Sequence, residues 1–131
     1  MNKGTILFHR DFQFLNGQSG EKLIIVLNTP KDKEPYLCCK TTSKPKFNID
    51  KEGCHSEKNI YIINPNYDWF KMKTWVQFHV LYEFESQKFL QAHFKNSLDI
   101  KGELKENTIG AIRNCIKRSD DVSKYHLSLL R

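Results

Sequence analysis

The apolar residues of this chain recur at two different spacings, and the change between them falls near residue 85. Before that point alternate residues share a character, the period of strands. Thr5-Ile6-Leu7-Phe8 follows Gly4, Lys22 to Asn28 is a β-branched run apolar on both faces, and Tyr36 to Thr42 and Asn59 to Asn64 are further short strands. Thr74 to Phe84 is near-alternating and wide enough for two strands around a bend. After Glu85 the spacing is helical. Ser86 is a candidate N-cap for a helix whose apolar face is Phe89, Leu90, His93 and Phe94. Ile109, Ile112, Cys115 and Ile116 share one face of a second helix. Gly110 costs that helix about 1 kcal/mol relative to Ala, so a close contact is expected there. Ser119-Asp120-Asp121 is read as the cap of a final helix carrying Val122, Tyr125, His126, Leu129 and Leu130.

Turn residues separate these pieces. Arg10 to Gly20 is a polar and aromatic loop with Asn16-Gly17 and Ser19-Gly20 as turn signals, and Pro30 to Pro35 is a hairpin connection. Ser43 to Lys58 is loop-like, Asn64-Pro65-Asn66 is a turn, and Asn96 to Gly102 interrupts the helices, with Ile100 in a last short strand. No internal repeat is visible. The expected fold is mainly β with C-terminal helices, a small SH3-like barrel of five to seven strands. Residues 1–131 form one domain in this reading, with helical additions after about residue 86.

Length and composition set the limits. A chain of 131 residues buries about two-thirds of its unfolded surface, enough for an ordinary core. Nine Phe, five Tyr and two Trp exclude a disordered or low-complexity chain. The longest unbroken apolar run, Leu23 to Leu27, is far too short to cross a bilayer. Met1-Asn2-Lys3-Gly4 leads straight into a strand with no signal-peptide core, so a cytoplasmic protein without a membrane partner is expected.

The charge is 21 basic against 15 acidic residues, or +6, with no basic tail or block. Any basic patch must therefore be assembled by folding. Seventeen of the bases are Lys, which suits diffuse attraction to phosphates better than bidentate reading of bases. Adjacent Cys38 and Cys39 point to opposite faces of a strand, and Cys54-His55 and Cys115 supply no C-x-x-C spacing. No metal site or cofactor is expected. All four cysteines are read as small buried hydrophobes in a reducing compartment.

No phosphate-binding glycine loop, nucleophile elbow or H-E-x-x-H motif is present. The five histidines are dispersed singly. His79 and His93 lie on apolar patterns and are read as buried structural residues. His9 and His55 flank polar loops and are the fairer candidates for proton transfer. Arg10 has two open readings, a surface ion pair with Asp11 or Glu21 and a functional role. The most reactive-looking cluster is Lys40-Thr41-Thr42-Ser43-Lys44, followed by Pro45-Lys46-Phe47. Hydroxyls between ammonium groups offer donors to phosphate oxygens and charge against a developing dianion. Composition alone selects no activity.

The order of the pieces is more specific. Gly4-Thr5-Ile6-Leu7, a polar loop closing at Gly20-Glu21, Lys22 to Asn28, and Cys39-Lys40-Thr41-Thr42-Ser43 together resemble the MazF/PemK (Kid-type) toxins of bacterial toxin–antitoxin systems. Val76-Gln77-Phe78 and Ile100-Lys101-Gly102-Glu103-Leu104 resemble that family's later strand and its step into the closing helix. The resemblance implies an SH3-like barrel that forms a homodimer and is held in check by a cognate antitoxin protein. It implies metal-independent cleavage of single-stranded RNA, in which the ribose 2′-hydroxyl attacks the adjacent phosphate. The family's catalytic Arg falls on Lys22 and its hydroxyl on Thr41, with Thr42 the neighbouring alternative. Arg10, Thr42, Ser43, Lys44, Lys46 and His55 are then the substrate-binding candidates. The alternative function is a non-catalytic barrel module that binds RNA or an acidic protein segment. Glu52 to Lys73, with Tyr67-Asp68-Trp69-Phe70, has no counterpart in the family pattern.

Overall fold

A computed structural model describes residues 1–131. Seven strands are followed or interrupted by three helices. The strands are β1 (Thr5–Gln13), β2 (Ser19–Val26), β3 (Tyr36–Thr42), β4 (Gly53–His55), β5 (Ile60–Ile63), β6 (Thr74–Phe84) and β7 (Leu98–Glu103). The helices are α1 (Ser86–Phe94), α2 (Glu106–Lys117) and α3 (Lys124–Ser128), with one 3-10 turn at Ser56–Lys58. All strands belong to one sheet in the order β4-β5-β6-β3-β2-β1-β7, and every pairing is antiparallel. β4 and β7 are its edges, so the sheet is open. The chain is mainly β with a few helices.

The central strands are buried on both faces, as the apolar run of β2 requires. Ile6, Ile25, Leu27, Leu37, Cys39, Val76 and Phe78 face a core covered by Ile109, Ile112, Cys115 and Ile116 of α2 and by Leu129 and Leu130. Leu7, Phe12, Ile24, Val26, Tyr36 and Cys38 face a second core with Phe89 of α1 and Leu98. Cys38 and Cys39 thus enter opposite cores, and burial pushes the Cys39 thiol up to about 12.

Several local expectations are corrected. Residues 10–13 are not loop: β1 continues to Gln13 with a register shift between His9 and Phe12. Phe12 is buried while Asp11 and Gln13 are exposed, so period-2 alternation persists beneath a polar composition. Thr74 to Phe84 is one strand, its bend a register irregularity opposite Cys38 and Lys40. His79 lies on that bend and is exposed rather than buried. In α1 the side facing the second core is Phe89 with Ala92, leaving Leu90 and Phe94 exposed. Ser86 does not cap it; its hydroxyl donates to Glu34 O at 3.2 Å. Ser119 and Asp121 do not cap the last helix, which Ser123 does by accepting from the His126 amide. Instead Ser119 donates to Asn59 Oδ1, and Asn59 Nδ2 donates to Asp121 at 2.8 Å, holding Asn59 in its left-handed backbone conformation.

The cysteine expectation fails for two of the four. Cys54 on β4 and Cys115 on α2 form a disulfide, while Cys38 and Cys39 remain thiols. The spacing contained no signal for it, because the partners stand 61 residues apart and meet only when α2 docks. With that pairing, cysteine usage no longer argues for a reducing compartment. No helix is long and apolar enough to cross a membrane.

Gly110 is also corrected. A Cβ placed there meets nothing within 4 Å, so no close contact requires glycine. Gly110→Ala should therefore stabilise the protein by about 1 kcal/mol, seen as a rise of a few degrees in Tm. Closing a loop of 61 residues in the unfolded chain is worth roughly 4 kcal/mol. Cys54→Ser with Cys115→Ser should lower the urea unfolding free energy by an amount of that order. Equal midpoints for the double variant and the parent would show that the crosslink contributes nothing.

Candidate functional site

Side chains on β1, β2 and β3 alternate, so Phe8, Leu23 and Thr41 continue the rows begun in the main core by Ile6, Ile25 and Cys39. Beyond the reach of the covering helices, these rows open into a cleft of about 630 Å³. One wall consists of Glu21, Lys22 and Leu23 from β2 with Thr41, Thr42, Ser43 and Lys44 from the end of β3. The sheet adds Phe8 of β1, paired with Leu23, and Thr74 at the start of β6, and the turn of Trp69, Phe70, Lys71 and Met72 completes the lining. Three ammonium groups and one carboxylate line the space.

Lys22 and Thr41, far apart in sequence, meet directly. Lys22 Nζ donates to the Thr41 carbonyl at 2.9 Å. Burial, and next the neighbouring Lys40, lower the Lys22 pKa below the ordinary lysine value. An amine held this way gives up its proton more readily than a surface lysine. Thr41 is buried and its hydroxyl donates to Leu23 O at 2.8 Å, so its proton is committed to the sheet. Thr42 differs: its oxygen accepts from the Lys44 amide at 3.1 Å, which leaves the hydroxyl proton uncommitted. Ser43 is exposed.

The remaining candidates are distributed otherwise. Arg10 lies on β1, outside the cleft lining. Its guanidinium donates to Asn96 O at 2.7 Å and pairs with Asp99 of β7, and its carbon stands 5.4 Å from the Phe8 ring centroid. Lys101 Nζ reaches the same ring at 5.7 Å. Hydrogen bonding to Arg10 holds the Asp99 carboxyl below its usual range. Neither Asp11 nor Glu21 is the partner. Lys46 is exposed and outside the cleft lining. His55 sits on the edge strand β4 with Nε2 2.7 Å from Lys51 O, also outside that lining. His9 packs between Phe12 and Phe84, and burial lowers its pKa. No three His, Cys, Asp or Glu side chains converge in the manner of a metal site.

Sequence reasoning missed the turn that completes the lining. Phe70 is buried in the main core, and the turn before it is pinned to the end of β7. Asp68 accepts from the Lys105 amide at 3.0 Å, and Lys105 Nζ donates to Tyr67 O at 2.9 Å. The available signal was the aromatic density of Tyr67-Asp68-Trp69-Phe70 in a stretch with neither strand nor helix period. No protein-family model, curated protein or solved structure matches this chain.

The committed Thr41 hydroxyl yields a prediction about stability. Thr41→Val keeps the shape but leaves Leu23 O without its donor, which should cost about 1 kcal/mol. Ser43→Ala, at an exposed position, should be silent in the same denaturation measurement. A Thr41→Val protein as stable as the parent would remove the sheet role assigned to that hydroxyl.

Proposed function

We propose that this protein is a growth-inhibiting toxin of a toxin–antitoxin pair, a MazF/PemK-like endoribonuclease that cleaves single-stranded RNA without a metal. In this reading the sheet is a variant of the family's SH3-like barrel, and the chain acts as a cytoplasmic homodimer restrained by a cognate antitoxin. The observation that carries it is the meeting of Lys22 with the Thr41-Thr42-Ser43-Lys44 strand end in one cleft. The order of motifs along the chain and the net charge of +6 add to it.

The reaction asks little of the protein. The 2′-oxygen attacks phosphorus, the bond to the 5′-oxygen breaks, and a 2′,3′-cyclic phosphate and a 5′-hydroxyl result. The proton lost from the 2′-hydroxyl is balanced by one delivered to the leaving oxygen. Lys22, as ammonium, opposes the charge gathering on the phosphate oxygens. Its Nζ is partly desolvated, which strengthens that attraction. Thr42 has a hydroxyl proton to offer, which Thr41 has already given to Leu23 O. Lys44 and Lys71 attract the backbone on either side.

A second reading has its own support. Arg10 is held by Asp99 and Asn96, so no guanidinium enters the cleft, and the Thr41 hydroxyl is already used. A binding module that takes RNA or an acidic protein segment without cleaving it fits those facts.

The two are separated by incubating pure protein with single-stranded RNAs of varied sequence in a chelator. Cleavage leaving 5′-hydroxyl ends is expected. Lys22→Ala should slow it by on the order of a hundredfold, Lys22→Arg should restore most of it, and Arg10→Ala should leave the rate per folded molecule unchanged. Because Lys22 titrates below the ordinary lysine value and works protonated, the rate should fall as pH rises through that lowered pKa. RNA left intact across all sequences would leave only the binding module standing.

A further inference from the structure

The turn that completes the cleft leaves two apolar side chains exposed beside Lys71, and one of them, Trp69, is closely held. Trp69 is 38% exposed and Met72 is 60% exposed, although both lie against the cleft. Trp69 is held by two neighbours, Phe70 and Gly102. Its ring packs at right angles on buried Phe70, with centroids 5.1 Å apart. Its five-membered ring lies so close to β7 that a Cβ on Gly102 would stand 2.6 Å from Cδ1 and Nε1. Gly102 is therefore the position where glycine is required by a close approach, and what it admits is this indole.

We propose that Trp69 is the stacking platform for an unpaired base of the RNA chain, with the adjoining phosphate lying toward Lys22 and Lys44. The assignment rests on the RNA reading given above and adds to it the residue that holds the base. A ring that is fixed by two neighbours and still 38% exposed loses little freedom when a base stacks on what it leaves uncovered. Such stacking tolerates any base, because every base has a π-face, and it is open only to bases not already paired. The cations across the cleft supply the backbone attraction that stacking alone lacks. A purely acidic segment such as poly-glutamate would use those cations and has no ring to stack on the indole.

The test uses a 2′-O-methyl RNA octamer, whose blocked hydroxyl permits binding without cleavage. The chain has two tryptophans, and Trp75 is buried with its Nε1 donating to Ile49 O, so a change in indole emission reports on Trp69. The octamer should quench that emission. Trp69→Leu should bind it roughly tenfold or more weakly, and Trp69→Phe should retain most of the affinity. Gly102→Ala, which forces the indole to move, should weaken binding without touching the ligand. An octamer with abasic positions, tested on the unaltered protein, should also bind more weakly, and this arm is independent of any folding defect in a variant. Equal affinity for intact and abasic octamers, or for the parent and Trp69→Leu, would overturn the platform. So would quenching by a poly-glutamate peptide but not by the octamer. The cleavage reading fails separately. Trp69-dependent binding with no cleavage of 2′-hydroxyl RNA refutes the chemistry and keeps the platform. Cleavage with the same kcat and KM in Trp69→Leu keeps the chemistry and refutes the platform.

Discussion

Burial of the central strands on both faces is the constraint from which the rest of the structure follows. β2 and β3 serve two cores at once, Ile25 and Cys39 in one, Ile24 and Cys38 in the other. A strand used in this way cannot slip by one residue, because every side chain would exchange cores. Its register is therefore fixed, and so is everything attached to its ends. Lys22 precedes the doubly buried part of β2, and Thr41 and Thr42 follow the corresponding part of β3. The cleft begins where the covering stops, and its polar wall stands at the ends of the two strands that serve both cores. That is the support a site needs if its groups are to hold their positions without help from a ligand.

Electrostatics within the cleft follow from the same placement. Lys22 is drawn inward by the Thr41 carbonyl, and burial together with Lys40 makes its charge costly. An anion placed beside it would offset part of that cost. Arg10 is the contrasting case. Asp99 and Asn96 take its donors, and its charge is spent joining β1 to the edge strand β7. Two cations close in sequence thus end with opposite assignments, one free to meet a ligand and one already satisfied.

That contrast shows where sequence reading succeeds. Period and turn chemistry are local, so β3, the helix of Ile109 to Ile116 and the opposite facing of Cys38 and Cys39 were legible residue by residue. The resemblance of motif order set Lys22 and Thr41 side by side as an expectation, and the contact the fold makes between them runs from Lys22 Nζ to the Thr41 carbonyl, not to its hydroxyl. Partners distant in sequence were not legible. Nothing near Arg10 points to Asp99, nothing near Cys54 points to Cys115, and Ser119 next to two aspartates looks like a cap until Asn59 is brought beside it. The glycines make the same point in reverse. Gly110 looks costly in its helix yet faces open space, while Gly102, read as part of a step into the closing helix, admits Trp69.

The disulfide and the cleft belong to different parts of this architecture. Cys54 lies on β4, a three-residue edge strand whose sole strand partner is β5, and it is tied to the face of α2 that covers the main core. Neither cysteine lines the cleft, which is built from β1, β2, the end of β3 and the Trp69 turn. Edge strands with few neighbours open first when a fold loosens. The crosslink therefore acts where the sheet is weakest, at the far side of β6 from Lys22. The Trp69 wall has its own anchors, in Phe70 within the core and in the Lys105 contacts at the end of β7. Loss of the crosslink would first loosen β4 and its hold on α2. The polar wall would keep its register as long as the two cores on either side of β2 and β3 remain packed.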